Sequence, residues 1–372
     1  MTYKKVSVEN LLEWFSKNKR DLPWRKTKNP YHIWISEVML QQTQVATVIP
    51  YYHRFVEKFP TITALAEANT DDLMKCWEGL GYYARARNLQ HAAQTILREH
   101  NGMLPQTRND LQTLKGFGAY TSASVASLAF GEDCAAVDGN VLRVFARLYA
   151  IQEDIRQQTT KSKIEALATL NLPKGRAGEF NEALMELGAT LCTPKQPQCS
   201  ACPLNQDCAA FQRQEVSLYP FKSPKPKLPH KEIAIGIVQR EDKVLIALRP
   251  SEGLLGNLWE FPGGKREPHE SLADCCKREV EEETGLQVEV GECIAMVKHT
   301  YTHFKITLHA FLCRYVSGEA SPKSSQEIRW VKLDELEQFA FPKANQRVIQ
   351  ALYRLKNPTP LPLFEMFSVP NK

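Results

Sequence analysis

From Tyr219 the chain reads Tyr-Pro-Phe-Lys-Ser-Pro-Lys-Pro-Lys-Leu-Pro-His-Lys, with prolines at 220, 224, 226 and 229. Proline lacks a backbone donor and fixes φ, so the stretch can form neither a helix nor a central strand and reads as a semi-rigid, extended linker. The hydrophobic period changes across it. Upstream, Phe180, Leu184, Leu187 and Leu191 fall on one helical stripe, and strands are hard to find. Downstream, Ile233–Val238 and Val244–Leu248 are short β-branched runs around a polar turn at Glu241-Asp242, and Ile306, Leu308, Ala310 and Leu312 alternate. At 372 residues the chain has room for two or three domains. The reading is multidomain: an all-α unit over 1–212, a linker over 213–231, an α/β domain over 232–357, and a Pro- and Phe-rich tail over 358–372, expected to be disordered or to dock a partner.

The net charge is +5, and residues 1–222 hold 26 Lys+Arg against 22 Asp+Glu. That bias is compatible with a polyanionic partner and too weak to establish one. The N-terminus, Met1-Thr-Tyr-Lys-Lys, leads into an amphipathic stretch and does not resemble a secretory signal. No apolar run approaches the roughly 18 residues of a membrane span. The expectation is a cytoplasmic chain without a membrane partner.

Cys192, Cys199, Cys202 and Cys208 form the pattern C-x6-C-x2-C-x5-C. In a cytoplasmic chain such a run points to metal rather than to disulfides. Zinc ribbons offer two short knuckles, and only Cys199/Cys202 make one; an iron–sulfur cluster also takes four thiolates. Spacing alone leaves zinc and cluster both open.

Leu114-Lys-Gly-Phe-Gly-Ala-Tyr-Thr121 lies between a helical stretch and the small-residue helix expected over 122–130. Gly116 and Gly118 allow a tight turn that presents bare N–H groups at a helix N-terminus, a geometry that binds phosphate without reading sequence. Helix, hairpin, helix and four-cysteine run in this order resemble the endonuclease III superfamily of helix-hairpin-helix DNA glycosylases, over about residues 8–212. The resemblance implies a DNA-binding hairpin including Lys115, an essential acid at Asp138 within Val137–Arg143, and a structural 4Fe–4S cluster on the four cysteines (loop 192–208).

Members of that superfamily that also cut the strand carry a Schiff-base lysine after the hairpin glycines, where this chain has Tyr120. A monofunctional, hydrolytic glycosylase is therefore expected; the alternative is a substitute lysine, with Lys115 five residues earlier. Leu22-Pro-Trp-Arg25 and Trp34–Val45 resemble the A/G-specific adenine DNA glycosylase (MutY) family, in which the glutamate matching Glu37 protonates adenine. Asn29-Pro30 reads as an N-cap followed by proline at the first helical position, which places Glu37 in the second turn.

Adenine leaves poorly until a ring nitrogen is protonated, which calls for an acid whose pKa is raised by burial. Departure leaves an oxocarbenium-like sugar that an ionised carboxylate stabilises. Glu37 as acid and Asp138 as anion fill those roles. By the same resemblance Trp24, Arg25, Tyr120, Asn140 and Glu182 line a pocket for the flipped base, while Gln42 and Thr43 stand near the vacated stack. The implied substrate is double-stranded DNA with an A:8-oxoguanine or A:G mispair, bound by a monomer.

Adenine glycosylases carry a Nudix-like C-terminal domain that recognises 8-oxoguanine. The stretch from Gly253 through Asn257–Pro262 fits it, and Tyr301, Thr302 and His303 resemble its base-reading loop. The family's Nudix box is typically eroded, whereas Gly264-x5-Glu270-x7-Arg278-Glu-Val-x-Glu-Glu283-x-Gly285-Leu is complete. Glu279, Glu282 and Glu283 share one helix face, a spacing that invites Mg²⁺ and, with it, hydrolysis of an oxidised nucleoside triphosphate as a secondary activity. The bland alternative is a solvated acidic face.

Overall fold

The computed structural model describes residues 4–224 and 226–356; the expected tail lies outside these. Two compact units result. Residues up to Ala68 join Arg85 to 224 in one, and Asn69–Ala84 joins the chain from Pro226 to 356 in the other. The first unit is therefore not the contiguous 1–212 block expected from the change of period.

The first unit is helical. Its central helix, Pro30–Leu40, is buried on nearly every side, from Ile33 to Met39 without a break, which is why it lacks an amphipathic stripe. Asn29 caps it by accepting the Tyr31 N–H at 2.9 Å, with Pro30 at the first helical position. Against it packs Ala119–Phe130, whose buried run Thr121–Ser127 is built of small residues that let the two backbones approach. The turn before that helix is held by Phe117, buried and stacked on Trp34 at 5.2 Å. Burying two such rings contributes on the order of 2–3 kcal/mol each. Gly116 sits at φ +91°, and a Cβ there would lie 2.8 Å from Asn88 Cβ, so both conformation and space demand glycine.

Gly139–Leu148 and Ala177–Thr190 complete the wall of the site. Phe180, Leu184 and Leu187 of the latter are buried beside Val141, Val144 and Phe145, as the stripe predicts. Gly188 brings it against Asn140, where a Cβ would lie 2.6 Å from that residue's own. The segment read as linker is anchored at its start. Tyr219 is buried, its carbonyl accepts Arg147 Nε at 3.1 Å, and Asp154 accepts from the Ser223 hydroxyl.

The second unit is a mixed sheet. Its strands are β1 (His230–Arg240), β2 (Lys243–Leu248), β3 (Trp259–Glu260), β4 (Gly263–Lys265), β5 (Gln287–Thr300), β6 (Lys305–Ser317) and β7 (Glu327–Lys332). The order is β3-β2-β1-β6-β5, with β4 on β1 and β7 on β2, and β1–β6 is the parallel pair. β1 begins at His230, inside the expected linker. Ile306, Leu308 and Ala310 join Val348 and Leu352 of the Lys343–Lys356 helix in one core. Phe311 and Cys313, on the opposite face of β6, join Cys276 and Val280 of the Leu272–Thr284 helix in another. Covered on both faces, β6 is buried beyond what one-sided alternation suggests.

Asn69–Ala84 is integrated into this unit by polar contacts at buried sites. The Trp259 indole donates to Asp71 at 3.3 Å, Lys75 Nζ to the Phe339 carbonyl at 3.1 Å, and the Phe341 N–H to Glu78 at 2.9 Å. Among the described residues, no helix is long and apolar enough to cross a membrane.

Candidate functional site

A cavity of about 770 Å³ opens in the first unit between the Pro30–Leu40, Ala119–Phe130, Gly139–Leu148 and Ala177–Thr190 helices. Trp24, Arg25, Glu37, Tyr120, Asp138, Asn140 and Glu182 all line it, so the sequence-selected pocket residues lie around one space. Gln42, Thr43, Gly116 and Gly118 line it as well, whereas Lys115 is exposed and does not; the lysine on its wall is Lys28.

Glu37 is 4% exposed. Its Oε2 accepts the Tyr120 hydroxyl at 2.5 Å and the Ser124 hydroxyl at 2.8 Å. Burial pushes its pKa above the ordinary carboxylate value; the two hydroxyls pull the other way, and the charges of Glu182 and Asp138 add to the rise. Tyr120 is raised well above a normal phenol by burial and by the Glu37 and Asp138 charges, so it stays a donor.

Asp138 is the N-cap of Gly139–Leu148. Its Oδ1 accepts the N–H groups of Asn140 at 2.9 Å and Val141 at 2.7 Å, and its Oδ2 accepts Asn140 Nδ2 at 2.8 Å. Burial raises its pKa, countered by those bonds. The helix N-terminus at its back favours the anion. Asn140 is fixed in turn, accepting Arg143 Nη2 at 2.8 Å.

Arg25 donates from Nε to Glu182 at 2.8 Å and from Nη2 to Glu186 at 3.0 Å. Glu186 escaped the sequence reading. It is 1% exposed and receives both Nε (2.7 Å) and Nη2 (2.9 Å) of Arg20. Burial raises its pKa, but the Arg20 bonds and the Arg25 charge outweigh that and hold it below the ordinary value. Its i, i+4 spacing from Glu182 was the available signal.

Arg85 was missed as well. It is buried, and its Nη1 donates to the carbonyls of Val38 (2.8 Å), Met39 (2.9 Å) and Gln41 (2.8 Å), while Nη2 donates to Thr43 Oγ1 at 3.2 Å. It satisfies the open carbonyls at the end of the Pro30–Leu40 helix and fixes the turn in which Gln42 takes φ +56°. The helix after the hairpin starts at Gly118 without a side-chain cap, which leaves its first N–H groups directed outward.

The four cysteines line one small cavity of about 30 Å³ together with Arg147, whose Nη1 lies 3.3 Å from Cys192 Sγ. Arg143 Nε donates to the Cys192 carbonyl at 2.8 Å. A thiolate-only donor set backed by two guanidiniums fits an anionic iron–sulfur cluster. Among the described residues, no three His, Cys, Asp or Glu side chains gather as ligands of a single ion.

In the second unit, Tyr301, Thr302 and His303 form the turn between β5 and β6, closed by Tyr301 N–H donating to the Phe304 carbonyl at 2.8 Å. Tyr301 packs on His299 at 4.6 Å and on Phe304 at 5.0 Å, leaving Thr302 and His303 exposed. Thr302 Oγ1 lies 3.4 Å from the hydroxyl of Tyr82, a further residue the sequence reading passed over. Tyr82 is 48% exposed at φ +48°, an uncommon conformation for an aromatic residue.

The three box carboxylates are held by neighbours within their own unit. Arg278 binds Glu270 (2.8 Å), Glu279 (3.0 Å) and Glu282 (3.0 Å), and Glu283 accepts the Gly263 N–H at 3.0 Å. Burial pushes Glu283 up to about 7. In this state the box carboxylates are engaged by the box's own arginine and backbone, while the charge of Glu279 helps to raise Glu283 and that of Glu282 helps to raise Glu279.

Residues 35–170 match the HhH-GPD superfamily of base excision DNA repair proteins, and residues 233–351 match the NUDIX domain. The chain is 34% identical to the adenine DNA glycosylase of Homo sapiens over 398 residues, covering 92% of this chain and 73% of that protein. It is 29% identical to the adenine DNA glycosylase of Buchnera aphidicola subsp. Acyrthosiphon pisum (strain APS), covering 93% and 97% respectively. Among solved structures, a thermostable thymine-DNA glycosylase superposes with a TM-score of 0.51 at 29% identity, over 55% of this chain and 95% of that one. With helical glycosylase and Nudix regions both matched, the chain belongs to the adenine DNA glycosylase family.

Proposed function

We propose that the protein excises adenine mispaired with 8-oxoguanine or guanine in double-stranded DNA, by hydrolysis and without cutting the strand. The observation that carries this is Glu37: a buried carboxyl of raised pKa, held at 2.5 Å by Tyr120 in the cavity it shares with Asp138. The flipped adenine occupies that cavity. Glu37 transfers its proton to a ring nitrogen, the N-glycosidic bond breaks with its electron pair leaving on adenine, and Asp138 stabilises the cationic sugar. Water then adds to the sugar carbon, and its proton returns to Glu37. Arg25 and Glu182 bracket the base with a donor and an acceptor. Tyr120 holds Glu37 and offers no amine for a Schiff base.

Cys192, Cys199, Cys202 and Cys208 would hold a 4Fe–4S cluster whose contribution is structural. Tyr301, Thr302 and His303 would read 8-oxoguanine, and the protein would act as a cytoplasmic monomer. The closed state of Arg278, Glu279 and Glu282 gives the secondary triphosphate hydrolysis no support.

The test is single-turnover release from an end-labelled duplex carrying A opposite 8-oxoguanine, with and without alkali after the reaction. Breakage only after alkali, abolished by Glu37→Gln, is the expected result. Breakage without alkali, or equal activity in Glu37→Gln, overturns the assignment.

A further inference from the structure

In the second unit a cavity of about 520 Å³ opens at the root of the Tyr301–Phe304 turn. Strand register builds it: His230 stands opposite Lys305, Glu232 opposite Thr307, and Lys298 opposite Thr307 on the other side. Alternation puts His230, Glu232, Lys298, Thr300, Lys305, Thr307 and His309 on one face of the sheet.

Its floor is polar and buried, with Thr307 5% and His309 7% exposed. Groups buried this way need partners, and these have them. His309 Nε2 lies 2.7 Å from Glu232 Oε2, and His230 Nε2 lies 2.9 Å from Thr307 Oγ1. The one carboxylate lining the cavity is thus engaged by the floor itself, and His230 Nδ1 lies 3.7 Å from its Oε1. Lys298 and Lys305, exposed on either side of the turn, add positive charge at the rim.

We propose that this cavity seats the phosphodiester backbone beside the oxidised base, with Lys298 and Lys305 on phosphate oxygens and the Thr300 hydroxyl donating to them. This rests on the reading of Tyr301–His303 as the base-contacting turn. Lys298 and Thr300 precede that turn and Lys305 follows it, so a strand whose base meets the turn brings its neighbouring phosphates to these side chains. A free nucleotide offers the same phosphate chemistry from another source.

The experiment is equilibrium binding of the full chain to a duplex carrying 8-oxoguanine opposite an abasic-site analogue, over a salt series. Two lost phosphate contacts reduce the slope of log K against log salt by roughly 1.8. Lys298→Ala/Lys305→Ala is expected to show that reduction, and Lys243→Ala/Lys332→Ala, on the β2–β7 pair, less than half of it. An unchanged slope, or an equal fall in the control pair, overturns the proposal. Nucleotide monophosphate shifting the His309 and His230 ring resonances while the slope stays unchanged assigns the cavity to a free nucleotide and overturns it too. A reduced slope with no wild-type preference for 8-oxoguanine over guanine leaves a backbone site and sinks the base-reading turn instead.

Discussion

The Tyr120 hydroxyl, half-buried, lies 2.5 Å from Oε2 of the buried Glu37. That bond stabilises the ionised carboxylate and so restrains a pKa that burial drives upward. An acid catalyst works while protonated, so with Glu37 in the proposed role adenine release should fall as pH rises through its pKa. Tyr120→Phe removes one restraint, and the alkaline limb of the single-turnover pH profile should move to higher pH. A limb that stays put or moves down refutes the role of this bond.

Glu37 also links stability to pH. Its folded pKa lies above the ordinary 4.5, so its favourable contribution is complete below that value and is lost as pH rises through the folded pKa. Glutamine cannot ionise and escapes the loss. The stability of Glu37→Gln relative to wild type should grow from pH ~5 to pH ~8, with each tenfold difference in proton affinity worth about 1.4 kcal/mol. Melting curves at the two pH values measure it; a gap that shrinks with pH contradicts the burial argument.

Asp138 serves the fold as an N-cap and, in the proposed mechanism, the chemistry as an anion, and asparagine separates the two. Asn caps as well as Asp, so Asp138→Asn should change stability by less than about 1 kcal/mol. Losing the charge beside the cationic sugar should slow adenine release by roughly 10²- to 10³-fold, the scale of removing one transition-state electrostatic partner. Denaturant titration and single-turnover rates on the same preparation check both halves.

Glu186 holds Arg20 and Arg25 from a position that is 1% exposed. Glu186→Ala leaves two cations facing a cavity and should cost about 3 kcal/mol, while Glu186→Gln, which still accepts a hydrogen bond, should cost less. Equal losses in the two variants would show that packing, not charge, is what matters there.

Arg147 donates to the carbonyls of Tyr219, Thr193 and Pro194 as well as standing beside Cys192. On the proposed cluster reading, Arg147→Met should loosen the cysteine loop, lowering the iron content per chain and the visible absorbance of the purified protein. Full iron content in that variant would place the loop's stability elsewhere.

How legible all this was depended on range. Asn29-Pro30 announced its helix because a cap acts over two residues, and β1 and β2 announced themselves as short β-branched runs around a polar turn. Glu37 was legible through its surrounding letters, although its burial was not. Glu186, Arg85 and Tyr82 were not legible, since what distinguishes them is a partner elsewhere: Arg20 lies 166 residues from Glu186, and Thr302 lies 220 from Tyr82. The box carboxylates were legible only as a spacing. Spacing put them on one face, but Glu283 turns to Gly263, 20 residues away, and no helical pattern carries that.

The Asp71–Trp259 bond spans 188 residues, and Lys75 and Glu78 wait for Phe339 and Phe341 beyond it. On a ribosome adding roughly 5–20 residues per second, Asn69–Ala84 emerges some 10–40 s before its partners are made. During that interval Asp71, Lys75 and Glu78 lack these particular partners, because the Trp259, Phe339 and Phe341 that they meet in the second unit have yet to be made. Translation order thus leaves the second unit, begun at Asn69, to be finished only when the last third of the chain is made.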